Sequence, residues 1–318
     1  MTEYTWAFDK SFLVFLLIAF VSMALASKLR SMISMPLIYG TVFILGFALN
    51  ILPKDMLLSA NMIAVGTIAY HVLVVHSGIM IHFRLLKGHK KEVLLCIFSP
   101  MILILVVGIG LRPVLGRELS LLAPGAVVGG GASCAIASRI IMEKVPELSV
   151  FPWMIFMMQG LFCVPVVTWV VKKDSQMLLA GFRETIPAES TGAKSGIPEG
   201  AEKLCMRIPE KYKTAPYFLG TVMLVTYMNH LLQNTIFSNL HINGNITALI
   251  LGMVLANVGL LERAPLFRSD SYGLLILGLM GLMANTLSNC PWYLIVSYLP
   301  KLLLIFAVSS VILVFCGI

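Results

Sequence analysis

The sequence predicts an all-α, polytopic membrane protein, and three observations carry that prediction. Apolar residues fill 58% of the 318 positions and charged residues only 12%, against about a quarter charged in soluble domains. Mean hydropathy is +0.92, and apolar runs of span length recur from residue 11 to residue 316. A hydrocarbon core of roughly 30 Å takes about 20 such residues per helix. Lysine and arginine, finally, are gathered into a few of the segments between the runs, as they are on the cytoplasmic side of membrane proteins.

The first run, 11–27, is preceded by no cationic region and followed by no small-residue cleavage pattern, so it is expected to be retained. Further spans are expected at 36–52, 57–83, 93–111, 151–171, 217–233, 246–261, 272–287 and 292–316, nine in all. Segment 119–141 is also apolar, but Pro124, Gly125 and the triplet Gly129, Gly130, Gly131 interrupt it, since both residue types break helices. It either crosses as a broken helix or dips in and returns.

Charge placement separates the two. With a re-entrant 119–141 and an external amino terminus, the inner loops hold sixteen basic residues: Lys28, Arg30, Arg84, Lys87, Lys90, Lys91, Arg263, Arg268 and eight within 172–213. The outer segments then hold six: Lys10, Lys54, Arg112, Arg117, Arg139 and Lys144. A full crossing would put Arg263 and Arg268 outside and the uncharged 237–245 and 287–291 inside, against the rule. The expectation is therefore a re-entrant segment and a cytoplasmic linker over 172–213 in a bacterial inner membrane. The same bias accounts for the net charge of +8 without a nucleic-acid partner. Six cysteines with no CxxC pair indicate neither a disulfide framework nor a zinc site.

Five spans before the linker start a second half on the opposite side, so 1–171 and 214–318 can be inverted repeats. Pro36-Leu37-Ile38-Tyr39-Gly40 with Gly46 holds the place in one half that Thr247-Ala248-Leu249-Ile250-Leu251-Gly252 with Asn257 and Gly259 holds in the other.

Unwound backbone at membrane depth is tolerated only where protein or a water-filled cavity satisfies it. The glycine triplet lets amides approach a carboxylate, or carbonyls a sodium ion, beside the positive end of a short helix starting near Ser133. Gly129, Gly130, Gly131, Ser133 and Cys134 are accordingly candidate substrate-binding residues, and Ser133 and Asn285 candidate ion ligands. Close helix packing is the competing account of the glycines, apolar filling that of Cys134, and interhelical bonding that of Asn285. Gln159, Asn229, His230, Thr286 and Ser288 should face protein or a cavity. His71, His76 and His230 can carry protons, though a histidine satisfied by a neighbouring helix is the commoner case. No Asp or Glu lies securely within a span, which suits an ion held by carbonyls and hydroxyls, with no cofactor beyond that ion.

Three segments resemble the sodium/glutamate symporter family: Leu73-Val74-Val75-His76-Ser77-Gly78 with Leu85-Leu86-Lys87-Gly88, 123–135 around the glycines, and Leu249-Ile250-Leu251-Gly252 with Ala256-Asn257. The resemblance extends over nearly the whole chain. It implies an elevator-type carrier of acidic amino acids or other small anionic carboxylates, coupled to sodium, built of two inverted repeats and paired as a homodimer. The family's Gly-Gly-His-Gly-Thr pattern is replaced by Gly130-Gly131-Ala132-Ser133-Cys134, which removes its histidine and threonine. The family also has a second re-entrant segment and one more span beyond the equivalent of 292–316, so the resemblance implies an incomplete second repeat. Two other classes stay open: a non-transporting membrane subunit completed by a partner chain, and an intramembrane hydrolase using Ser133 or Cys134 with His230. The hydrolase lacks the second glycine of a nucleophile elbow and an acid to orient the histidine.

Overall fold

The computed structural model describes residues 5–29, 33–88, 90–182, 209–235, 243–289 and 291–317. Lipid offers no partner to backbone N–H and C=O, so a long apolar run satisfies its own as a helix. All regular elements among the described residues are helical: α1 (Phe8–Lys28), α2 (Met35–Ala48), α3 (Met56–Ser59), α4 (Met62–Ile79), α5 (Phe83–Gly88), and α6 (Lys90–Leu103) with a π-helical extension Ile104–Gly110. There follow α7 (Arg112–Leu115), α8 (Arg117–Met142), a 3-10 turn Pro146–Val150, α9 (Phe151–Phe182), α10 (Ala215–Thr235), α11 (Gly244–Val258), α12 (Pro265–Arg268), α13 (Tyr272–Ser288) and α14 (Trp292–Gly317).

The helical membrane architecture is as expected, and the nine expected spans differ in length. Among the described residues six stretches are long and apolar enough to cross a membrane: Phe8–Lys28, Met62–Ile79, Val93–Gly110, Arg117–Met142 taken as one helix, Pro146–Lys173 and Tyr293–Ile312. Helices α2, α11 and α13, at 14, 15 and 17 residues, reach only about 21–26 Å at 1.5 Å per residue. Helix α10, with Asn229, His230, Gln233 and Asn234 near its end, is not among the six. The single run expected at 57–83 is two helices, divided at Asn61, whose φ is 53°. The linker expected over 172–213 lies largely outside the described residues, and α9 extends through its first part to Phe182.

Helix α1 shows how the chain meets lipid. Ser11, Phe15, Ala19, Ser22 and Ala26 are buried, a stripe at helical spacing, while Leu13, Leu17 and Phe20 lie exposed on the other side. The buried hydroxyls are satisfied locally, Ser22 donating to Ile18 O at 2.7 Å and Ser11 to Ser59 Oγ at 3.2 Å. Large apolar side chains such as Ile97, Phe98, Leu105 and Ile109 are likewise exposed, which suits hydrocarbon and not water.

Helix α4 lies at the centre, packed against α11 on one side and α13 on the other. A Cβ added at Gly252 of α11 would sit 2.6 Å from Val75 O, and one at Gly66 of α4 2.5 Å from Gly278 O of α13. The helices therefore touch backbone to backbone, as small residues permit in membrane proteins. The last carbonyls of α4 have no partner in their own helix. Arg263 donates to Ile79 O at 2.5 Å and Ile81 O at 3.1 Å, and Asn257 donates to Ile81 O at 2.9 Å. Beside this clasp, buried Glu262 pairs with Lys213 at 2.9 Å and with Arg268.

Helices α10 to α13 repeat the order of α1 to α4: a long helix, a short apolar one, a four-residue helix and a second apolar one. The four-residue helices α3 and α12 each end two residues before a left-handed non-glycine residue, Asn61 at φ 53° and Asp270 at φ 51°. The second apolar helix of each unit packs on the short helix of the other, α4 on α11 and α13 on α2.

Substituting Gly252 by Leu is expected to abolish the monodisperse folded protein on size-exclusion chromatography, whereas Gly220→Ala, where nothing lies within 4 Å, should leave it intact. Arg263→Met should lower stability by about 1–3 kcal/mol for each carbonyl left unpaired, read as a fall in the thermal unfolding midpoint in detergent.

Candidate functional site

The glycine triplet breaks α8. Gly130 has φ 66° and ψ −163°, a conformation open essentially to glycine alone. It divides the helix into a first arm, 117–129, and a second, 131–142. In a straight helix residues 126 and 134 would be about 12 Å apart along the axis. Here Cys134 Sγ donates to Ala126 O at 3.6 Å, and Ser133 packs against Gly129. The chain thus turns back at Gly130. Each arm alone is about 18–20 Å long, too short to cross a core of roughly 30 Å, although the two together are long and apolar enough to do so.

A broken helix leaves carbonyls without their usual donors four residues on. Those of Ala126 and Val127 would have received Gly130 and Gly131 N–H. Cys134 takes the first, and Gln159 of α9 takes the second through Nε2 at 2.8 Å. Gln159, expected to face protein or a cavity, is thus a cap for the first arm. Cys134 is fully buried and caps the same end.

The bend opens on a cavity of about 650 Å³, with Gly129, Gly130 and Gly131 on one side and His76, Trp153 and Tyr272 around them. Its walls are apolar, including Phe156, Phe267 and Leu279, and no Lys, Arg, Asp or Glu lines it among the described residues. Phe267 and Tyr272 stack with centroids 4.5 Å apart, and the His76 ring lies 5.7 Å from Phe267. His76 is 4% exposed and Trp153 2%, yet neither His76 nitrogen nor Trp153 Nε1 has a hydrogen-bond partner. Buried polar atoms are nearly always paired, and an orphaned one costs about 1–3 kcal/mol. Both side chains line this cavity, and their unpaired atoms would meet a ligand there only if the rings turned toward it.

The expected site is assembled only in part. Gly129, Gly130 and Gly131 line the cavity, whereas Ser133 and Cys134 do not. Asn285 lies beyond the part of α13 that faces it, and its carbonyl accepts from Ser288 Oγ at 2.8 Å and Asn289 Nδ2 at 2.9 Å. The commoner case for a buried histidine fails at His76, which no neighbouring helix satisfies. His71, Asn229 and His230 line a different cavity, at the far end of the second arm, and Ser133 and Cys134 are not in its lining. Trp153 was invisible to sequence reasoning. Its only signal was a polar handle in an apolar run, which a buried tryptophan normally pairs.

No known protein family, curated protein or solved structure matches the chain, and the site is therefore interpreted from its geometry.

Gln159→Leu should lower stability by about 1–3 kcal/mol, because it leaves Val127 O unpaired, and Gly130→Ala by about 1–3 kcal/mol through backbone strain. Thermal unfolding in detergent reads both, and a midpoint unchanged in either variant contradicts the bend described.

Proposed function

We propose that the chain is a secondary carrier that binds a small organic anion at the glycine bend, coupled to sodium. The observation that carries this reading is the cavity at Gly129–Gly131, where His76 and Trp153 present buried polar atoms without partners. The second arm begins there, and the first N–H groups of a helix together carry roughly half a positive charge. They favour an anionic head group, to which His76 and Trp153 would donate. The apolar walls receive the rest of the molecule. With no cation in the lining, a second carboxylate finds no counter-charge, so the cavity favours an apolar monocarboxylate over glutamate. Sodium would be held by the carbonyls of 128–130, beyond the two that are capped.

The repeated helix order and the reciprocal packing of α4 on α11 and α13 on α2 support two inverted repeats. One bundle rocking or sliding against the other would carry the bound anion across. The accompanying orientation places the amino terminus outside and 172–213 in the cytoplasm of a bacterial inner membrane. The protein would act as a homodimer.

Purified protein should gain thermal stability from a branched-chain 2-oxo acid, more so with sodium than with potassium, since a ligand of the native state stabilises it by mass action. In proteoliposomes an inward sodium gradient should drive its uptake. Trp153→Phe and His76→Gln should each weaken binding by about tenfold, the worth of one buried hydrogen bond. Binding unchanged by both would contradict this site, and stabilisation by glutamate alone would contradict the substrate class.

A further inference from the structure

A second cavity, of about 360 Å³, lies between α4, the far end of the second arm, α10 and the start of α11. Small-molecule sites run from about 300 to 1,000 Å³. Beside apolar Val74, Ile136 and Ile140, its lining carries more polar side chains than the first cavity: Tyr70 and His71, Arg139, Asn229, His230 and Gln233.

Its tyrosine and amide side chains are already engaged in hydrogen bonds. The Tyr70 hydroxyl donates to Asn245 Oδ1 at 2.6 Å, Asn229 Nδ2 to Gly244 O at 3.0 Å, and Gln233 Nε2 to Thr247 Oγ1 at 2.6 Å. Asn245 in turn donates through Nδ2 to Asn243 Oδ1 at 2.8 Å. Arg139 is different. Its guanidinium lies over the Tyr70 ring, 4.9 Å from the centroid, and among the described residues it has neither an ion pair nor a hydrogen-bond acceptor. Glu143, one turn further on, stands exposed at the rim and makes no ion pair with it. The tyrosine ring lies against the guanidinium, and both side chains line the cavity.

We infer that this cavity is an anion site in which Arg139 grips a carboxylate of a small water-soluble di- or tricarboxylate. A guanidinium offers parallel N–H groups that match a carboxylate edge in a two-point contact. The other features agree in sign. His71 and His230 line the same cavity as Arg139. Helix α11 begins at Gly244, on the cavity wall, and turns its positive end toward the same space. An ionisable side chain without a partner beside membrane helices is costly to keep, and an anion supplies the partner. The site stands on its own residues and does not depend on how the glycine cavity is used.

Phenylglyoxal modification of Arg139, followed by peptide mass spectrometry on the full chain in phosphatidylcholine nanodiscs, tests this site. Succinate, glutamate or citrate should slow modification at Arg139 severalfold but not at exposed Arg112, and the protection should persist in Trp153→Phe, which alters only the glycine cavity. Equal rates at Arg139 with all three anions would overturn the inference. In equilibrium dialysis with the anion that protects best, Arg139→Gln should weaken binding by about tenfold or more and Arg139→Lys by less. Equal affinity in wild type and Arg139→Gln overturns it as well. If phosphatidylglycerol nanodiscs protect Arg139 with no soluble anion present, the cavity holds a lipid head group and the assignment to a soluble carboxylate falls.

Discussion

The backbone contact of α4 with its two neighbours governs the rest of the fold. In hydrocarbon there is no hydrophobic drive to bring helices together, so they adhere through close packing and polar bonds. Glycines at 66, 252 and 278 let the main chains meet, and α4 is held between α11 and α13 with little room to shift sideways. Residues along α4 then serve two cavities: His76 and Ser77 the one at the glycine bend, Tyr70 and His71 the one at Arg139. A bulkier residue at the crossings would spread the helices and separate the walls of both.

The polar bonds follow from the same constraint. Wherever a helix stops within the packed region, its carbonyls must find donors, and this chain supplies them from distant sequence. Arg263 and Asn257 close the end of α4, while Gln159 and Cys134 close the first arm of α8. These are the side chains that look anomalous in apolar surroundings. Most of them keep the backbone satisfied, which leaves few free to bind anything. That is why the unpaired nitrogens of His76 and Trp153 and the open guanidinium of Arg139 stand out.

Much of this was legible in the sequence, because the signals are local. Long apolar runs can only be helices in lipid, and a proline with three glycines in one of them foretold the bend at Gly130. Helix lengths were not legible. The run from 57 to 83 is apolar throughout, and nothing in its composition marks the left-handed Asn61 that divides it. The cavity linings were less legible still, since each joins residues from several helices. Trp153 read as one more apolar position, and Asn285 as a ligand because its span matched another on paper. Arg139 was counted among outer basic residues; only the return of the second arm along α4 brings it over Tyr70.

The bend at Gly130 also joins the two cavities mechanically. The second arm is a stiff rod pivoting on one residue, with the first cavity at the pivot and Arg139 about 13 Å along it. A rotation of some ten degrees at Gly130 would carry Arg139 through about 2 Å, the difference between gripping a carboxylate and missing it.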